Sequence, residues 1–245
     1  MLHFKFFESE NDSKQLLVML HGFISDSTTY DSHVAYFSQH VNVLTIDLPG
    51  HGQDTSDMQD TWDFPYIAHA LDEVLSQFDT YDVYLLGYSM GGRVALYYAL
   101  YGSVALRGLL LESTSAGIQD EADKVERVQV DAARAKVLEI AGLEIFVNDW
   151  EKLPLFRSQY GLDAEVRKAI RANRMSQNPV RLAKALRDYG TGNMPNLWPQ
   201  ISSIAVRTFI LTGEKDEKFV RIGQKLAEAI PHSRTVNISN VGHTI

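Results

Sequence analysis

The chain has 245 residues, 45% of them apolar and 22% charged, which suits one soluble domain with a full core and room for an inserted subdomain. It has no cysteine, which excludes disulfides and thiolate metal sites, and its net charge of −8 argues against general nucleic-acid binding, which needs clustered Lys and Arg. The opening Met1-Leu2-His3-Phe4-Lys5-Phe6-Phe7-Glu8 is charged too soon for a signal peptide and no later run approaches a membrane span, so a cytoplasmic location is expected.

Leu16-Leu17-Val18-Met19-Leu20 is the first short, continuous apolar run, the pattern of a strand buried on both faces. It leads into His21-Gly22-Phe23. Val41 to Ile46 repeats the pattern and closes on the tight turn Asp47-Leu48-Pro49-Gly50-His51-Gly52; His21 and His51 both read as structural, holding loops and shaping the rim. Tyr66 to Phe78 has helical periodicity. A third run, Val83-Tyr84-Leu85-Leu86, enters Gly87-Tyr88-Ser89-Met90-Gly91-Gly92, and the helical stretch Arg93 to Leu100 follows at once. A serine on so sharp a strand-to-helix turn is a nucleophile elbow, with Gly87 and Gly91 sited where side chains would collide.

Leu106 to Leu111 is a further buried strand, and the alternation breaks after Glu112: from Asp120 to Arg187 the patterns are only helical, interrupted by Gly142, Pro154 and Gly161. Strand chemistry resumes at Val206 to Leu211 and again at Ser233 to Ser239. Alternating strands and helices predict an α/β fold with a mostly parallel, doubly wound sheet. The core is expected over residues 1–115 and 201–245, with a helical insert over 116–200 that would cover the serine as a cap. That insert is nearly neutral and Arg-rich on an acidic body. Its charges read first as solvated helix faces, with anion binding by some arginines as the alternative.

A serine hydroxyl needs a base, and the base an orienting acid, in the chain order Ser, Asp or Glu, His for this type of fold. Leu211-Thr212-Gly213-Glu214-Lys215-Asp216 places acids beyond one strand, and Asn240-Val241-Gly242-His243 follows the next. The expected triad is Ser89, Asp216 and His243, with Glu214 as the competitor for the acid. Backbone N–H groups of Phe23 and Met90 are expected to form an oxyanion hole. The chain ends two residues past His243, and a loosened His243 loop with reduced activity is the expectation.

Leu20-His21-Gly22, Asp47 to Gly52, Gly87 to Gly92, Gly213-Glu214-Lys215-Asp216 and Gly242-His243 together resemble the α/β-hydrolase superfamily over essentially the whole chain. That superfamily hosts esterases, C–C hydrolases, peroxidases and lyases. A finer resemblance rests on Arg93, Leu111-Glu112-Ser113 with Gly117-Ile118, Glu126-Arg127 to Asp131, Trp150, Pro154-Leu155-Phe156, Arg174, Leu186-Arg187 with Gly190-Thr191-Gly192, Leu197-Trp198 and Glu214 to Phe219. These residues look like those of the SHCHC synthases of menaquinone biosynthesis, lyases that eliminate pyruvate from SEPHCHC to give 2-succinyl-6-hydroxy-2,4-cyclohexadiene-1-carboxylate (SHCHC) and need no metal or organic cofactor.

The resemblance implies a small tricarboxylate substrate clamped by Arg93, Arg127 and Arg174, with Tyr88 and Trp150 lining the site and Lys218 near the acid loop. Arginine suits this task because its planar fork binds carboxylates in pairs of hydrogen bonds. It also implies that Ser89, activated by His243, acts as a base and not as a covalent nucleophile. The family often has Trp-Tyr where this chain has Trp150-Glu151, so a hydroxyl is missing there. The alternatives are a carboxylic-ester or C–C bond hydrolase using the same triad covalently, and a non-catalytic small-molecule receptor of the same fold.

Overall fold

The structure, a computed structural model, describes residues 1–245. Seven strands form one sheet: β1 (Phe4–Phe7), β2 (Gln15–Leu20), β3 (Asn42–Ile46), β4 (Asp82–Tyr88), β5 (Leu106–Glu112), β6 (Arg207–Gly213) and β7 (Ser233–Ile238). Their spatial order is β1-β3-β2-β4-β5-β6-β7. β2 to β7 are parallel, and β1 pairs antiparallel with β3 through Phe4 opposite Ile46. The doubly wound α/β expectation therefore holds, with one addition. β1 lies in a segment where the sequence pattern predicted no strand.

Eight helices complete the chain: α1 (Asp31–Phe37), α2 (Phe64–Leu75), α3 (Met90–Tyr101), α4 (Glu121–Ile140), α5 (Gly142–Trp150), α6 (Ala164–Met175), α7 (Pro179–Tyr189) and α8 (Glu217–Ala229). Successive strand residues point to opposite faces, and β2 shows how this makes two layers. Leu16, Val18 and Leu20 join the main core with Ile67 and Leu71 of α2 and Val94 and Leu96 of α3. Leu17 and Met19 join a separate cluster with Val34 of α1 and Val43 of β3. A strand covered on both faces has no position for a polar side chain, so β2 reads as one continuous apolar run.

Between β5 and β6 the chain is helical. Asp120 caps α4 by accepting hydrogen bonds from the Ala122 and Asp123 N–H groups, and Asn178 does the same for α7 ahead of Pro179. Gly142 breaks α4 from α5 at a φ of +83°, where a side chain would be strained. The segment Pro154–Gly161 is a 3₁₀ run and not a regular α-helix. Helices α4, α5 and α7 share a small core of Ala135, Leu138, Phe146, Val147, Leu182, Ala183 and Leu186, which also takes Ile24 from the loop after β2. No helix is long and apolar enough to cross a membrane.

Parallel strands bring their carboxyl ends to one edge, which is where ligands bind in open α/β sheets. The loops after β2, β4, β5, β6 and β7 all leave from that edge, carrying Phe23, Ser89, Ser113, Asp216 and His243.

Candidate active site

Ser89 occupies the turn between β4 and α3 with φ +51° and ψ −103°, a conformation an L-residue adopts only when its surroundings impose it. They do so by close packing: a Cβ on Gly91 would overlap the carbonyl oxygen of Leu20, and one on Gly87 would overlap the Gly91 carbonyl. The Thr114 hydroxyl donates to the Ser89 carbonyl at 2.8 Å, fixing the turn from the β5 side.

The serine hydroxyl lies 3.0 Å from His243 Nε2, and His243 Nδ1 lies 2.7 Å from Asp216 Oδ2. His243, expected on a loose loop, is only 2% exposed and is held at both ring nitrogens. The rings of Phe219, Tyr88 and Phe156 surround it. The other oxygen of Asp216 accepts the Phe219 N–H and so caps α8, which anchors the acid to a regular element. Glu214 faces elsewhere and accepts the Asn240 N–H. The geometry thus favours Asp216 over Glu214 as the acid. Such a chain can draw the hydroxyl proton onto the imidazole and hold the resulting cation.

Met90 is the first residue of α3, where an N–H has no intrahelical acceptor. The Phe23 N–H has no partner in the protein, and Ile24 beside it is held at φ +58°. Two free N–H donors near the serine match the requirements of an oxyanion hole. His21 is structural, as expected: its Nε2 accepts the Leu48 N–H at 3.0 Å and its Nδ1 lies 2.8 Å from the Gly22 carbonyl. His51 is buried against it and is bonded to Pro49 and Tyr189.

A cavity of about 1790 Å³ opens above the serine, and every residue singled out from sequence for binding lines it: Tyr88, Arg93, Arg127, Trp150, Arg174 and Lys218. Arg93 is buried with no carboxylate partner, and its Nη1 donates to the Tyr189 carbonyl at 3.3 Å. Burial, reinforced by the nearby Arg127 charge, lowers its pKa to about 10, so it remains cationic at neutral pH. Arg127 pairs with Asp131 at 2.8 Å, and Arg134 lies 3.7 Å from the same carboxylate. Arg174 reaches Glu151 at 3.1 Å and Gln159 at 2.9 Å and stacks over Phe156. Lys218 sits over Phe219.

Arg134, Glu151 and Gln159 escaped the reading of the sequence. Arg134 stacks on Trp150, and the only sequence trace of Glu151 was its departure from the Trp-Tyr pattern. The Trp150 indole N–H is buried without a partner. A buried donor and an unpaired buried cation in a cavity wall leave hydrogen-bonding and charge to be met by an anionic ligand. No cluster of three or more His, Asp or Glu able to hold a metal ion occurs.

The model of the alpha/beta hydrolase family matches residues 17–245. A 2-succinyl-6-hydroxy-2,4-cyclohexadiene-1-carboxylate synthase from Salmonella agona is 34% identical over 227 residues, covering 93% of this chain and 86% of that protein. The structure of MenH from S. aureus is 57% identical with a TM-score of 0.99, covering 100% of this chain and 92% of that one. A thermophilic esterase from Thermogutta terrifontis, 24% identical with a TM-score of 0.83 and covering 99% of this chain and 86% of its own, shares the fold. The chain belongs to the α/β-hydrolase family and, within it, to the SHCHC synthases.

Proposed function

We propose that this enzyme eliminates pyruvate from SEPHCHC to give SHCHC in menaquinone biosynthesis, with residues 116–200 forming a cap over Ser89. The observation that carries this reading is the cavity. Its floor is the Ser89–His243–Asp216 chain, and Arg93, Arg127, Arg134 and Arg174 in its wall outnumber the carboxylates of Asp131 and Glu151 that touch them. Such a wall suits a substrate with three carboxylates and is wasted on a neutral ester.

His243 takes the Ser89 proton, and the serine oxygen takes a proton from the ring carbon next to the ketone. The electron pair of that C–H bond passes first to the ketone as an enolate; as the ketone re-forms, a new ring double bond forms, the ring double bond already present shifts along by one bond, and the C–O bond to the enolpyruvyl group breaks. Enolpyruvate leaves and becomes pyruvate on protonation. During the step the Phe23 and Met90 N–H groups hold the oxyanion that forms on the ketone. Arg93, Arg127 and Arg174 hold the carboxylates, Tyr88 and Trp150 shape the walls, and Lys218 adds charge near the acid loop. A neutral serine is a weak base, so its bond to His243 and the exclusion of water beneath the cap are essential to the step.

The test is pyruvate release from freshly made SEPHCHC, coupled to lactate dehydrogenase, beside hydrolysis of a p-nitrophenyl ester. The expected outcome is rapid pyruvate release with little ester hydrolysis, and a loss of about 10³-fold or more in Ser89→Ala. Ester hydrolysis without pyruvate would transfer the protein to the hydrolases and leave the arginines without a catalytic task.

A further inference from the structure

Gln159 stands in the 3₁₀ run Pro154–Gly161 and hydrogen-bonds to two parts of the cavity, the anion wall and the histidine loop. Its carbonyl oxygen accepts from Arg174 Nη2 at 2.9 Å, and its amide nitrogen donates to the Thr244 hydroxyl at 3.3 Å. A guanidinium has donors only, so the amide has one workable orientation, with oxygen toward Arg174 and nitrogen toward Thr244. Thr244 follows His243 in the chain, and its hydroxyl lies 2.8 Å from the Tyr88 hydroxyl, on the residue before Ser89. The neighbouring Ser158 packs so closely on Gly242 that a Cβ there would overlap the serine side chain. The insert therefore grips the histidine loop on both sides of His243, at Gly242 and at Thr244, and the second of those grips ends on an arginine of the anion wall.

We propose that Gln159 is a positioning residue that ties Arg174 to the placement of His243, so that the cation receiving a substrate carboxylate and the base act as one hydrogen-bonded unit. This rests on the reading of Arg174 as a carboxylate ligand. Gln159 acts through its neighbours: through Thr244 on the histidine and through Arg174 on the bound anion. Losing the Thr244 bond slows the chemical step, and losing the Arg174 bond weakens binding.

The experiment uses the full chain as Gln159→Met, Thr244→Val, Thr244→Ser and the Met/Val double variant. Two quantities are read: kcat and KM for pyruvate release, and the rate at which an uncharged fluorophosphonate labels Ser89. Gln159→Met and Thr244→Val are each expected to lower kcat and slow labelling about tenfold, and the double variant to fall no further, because both cut one path. KM should rise about fivefold in Gln159→Met but stay near wild type in Thr244→Val, since only the former frees Arg174. Thr244→Ser keeps the hydroxyl and should behave as wild type. Multiplicative losses in the double variant, or an impaired Thr244→Ser, would overturn the link. So would full activity and labelling in Gln159→Met. Absence of pyruvate from the wild type would sink the lyase reading alone, because the labelling rates still decide whether Gln159 positions His243.

Discussion

The two buried histidines of the rim show how a backbone contact sets a protonation state. His21 Nε2 must keep its lone pair to accept the Leu48 N–H, so the ring is neutral with its proton on Nδ1, facing the Gly22 carbonyl. Burial lowers its pKa, and burial lowers that of His51 from 6.5 to about 3. The unfolded chain therefore binds more protons than the folded one below pH 6.5. Stability is complete above that value and is lost as pH falls toward the folded pKa of His51. At pH 4 the loss from His51 alone is of order 3 kcal/mol. Urea midpoints measured from pH 7.5 to pH 4.5 should fall steadily, and His51→Gln should flatten the decline; an equal slope in the variant would refute the assignment. In the sequence both histidines were legible only as structural. The tautomer of His21 comes from Leu48, which the fold brings against it from 27 residues away, and the lowered pKa values come from burial, which only the fold supplies.

At the level of elements, the parallel strands were easy to recognise because burial on both faces excludes polar residues from their middles. β1 was not. Its Phe4-Lys5-Phe6-Phe7 is half-exposed at the sheet edge, and what makes it a strand is its antiparallel partner β3, which lies far along the chain. The elbow is the opposite case, since its requirement for small residues is local. Gly91→Ala places a methyl group on the Leu20 carbonyl and should cost about 3 kcal/mol or more through overpacking, with loss of activity as Ser89 shifts. Gly161→Ala meets nothing and should change stability by no more than about 0.5 kcal/mol. Thermal or urea denaturation of the pair checks both, and comparable losses would mean that the strain lies elsewhere.

For the whole molecule the informative quantity is the separation of charge. The protein carries a net −8, yet the cavity collects Arg93, Arg127, Arg134 and Arg174 around the serine. On the proposed function a trianionic substrate would be drawn to the mouth against a repelling body, with salt screening the attraction over a distance of roughly 8–10 Å. kcat/KM for SEPHCHC should fall several-fold between about 20 mM and about 500 mM salt, whereas labelling of Ser89 by an uncharged fluorophosphonate should not change. A flat salt profile for SEPHCHC would argue that the arginines are spent on Asp131, Glu151 and Gln159 and leave nothing for substrate. What the sequence by itself determined is whatever depends on near neighbours: the buried strands, the glycine-flanked serine, and the order of serine, acid and histidine. What only the tertiary structure decided is the choice between Asp216 and Glu214, the absence of a carboxylate at Arg93, and the bridge of Gln159 from Arg174 to Thr244. The reason is physical. Backbone sterics and burial patterns act between residues adjacent in the chain, but ion pairs and hydrogen bonds of side chains depend on distances in space between residues far apart along it.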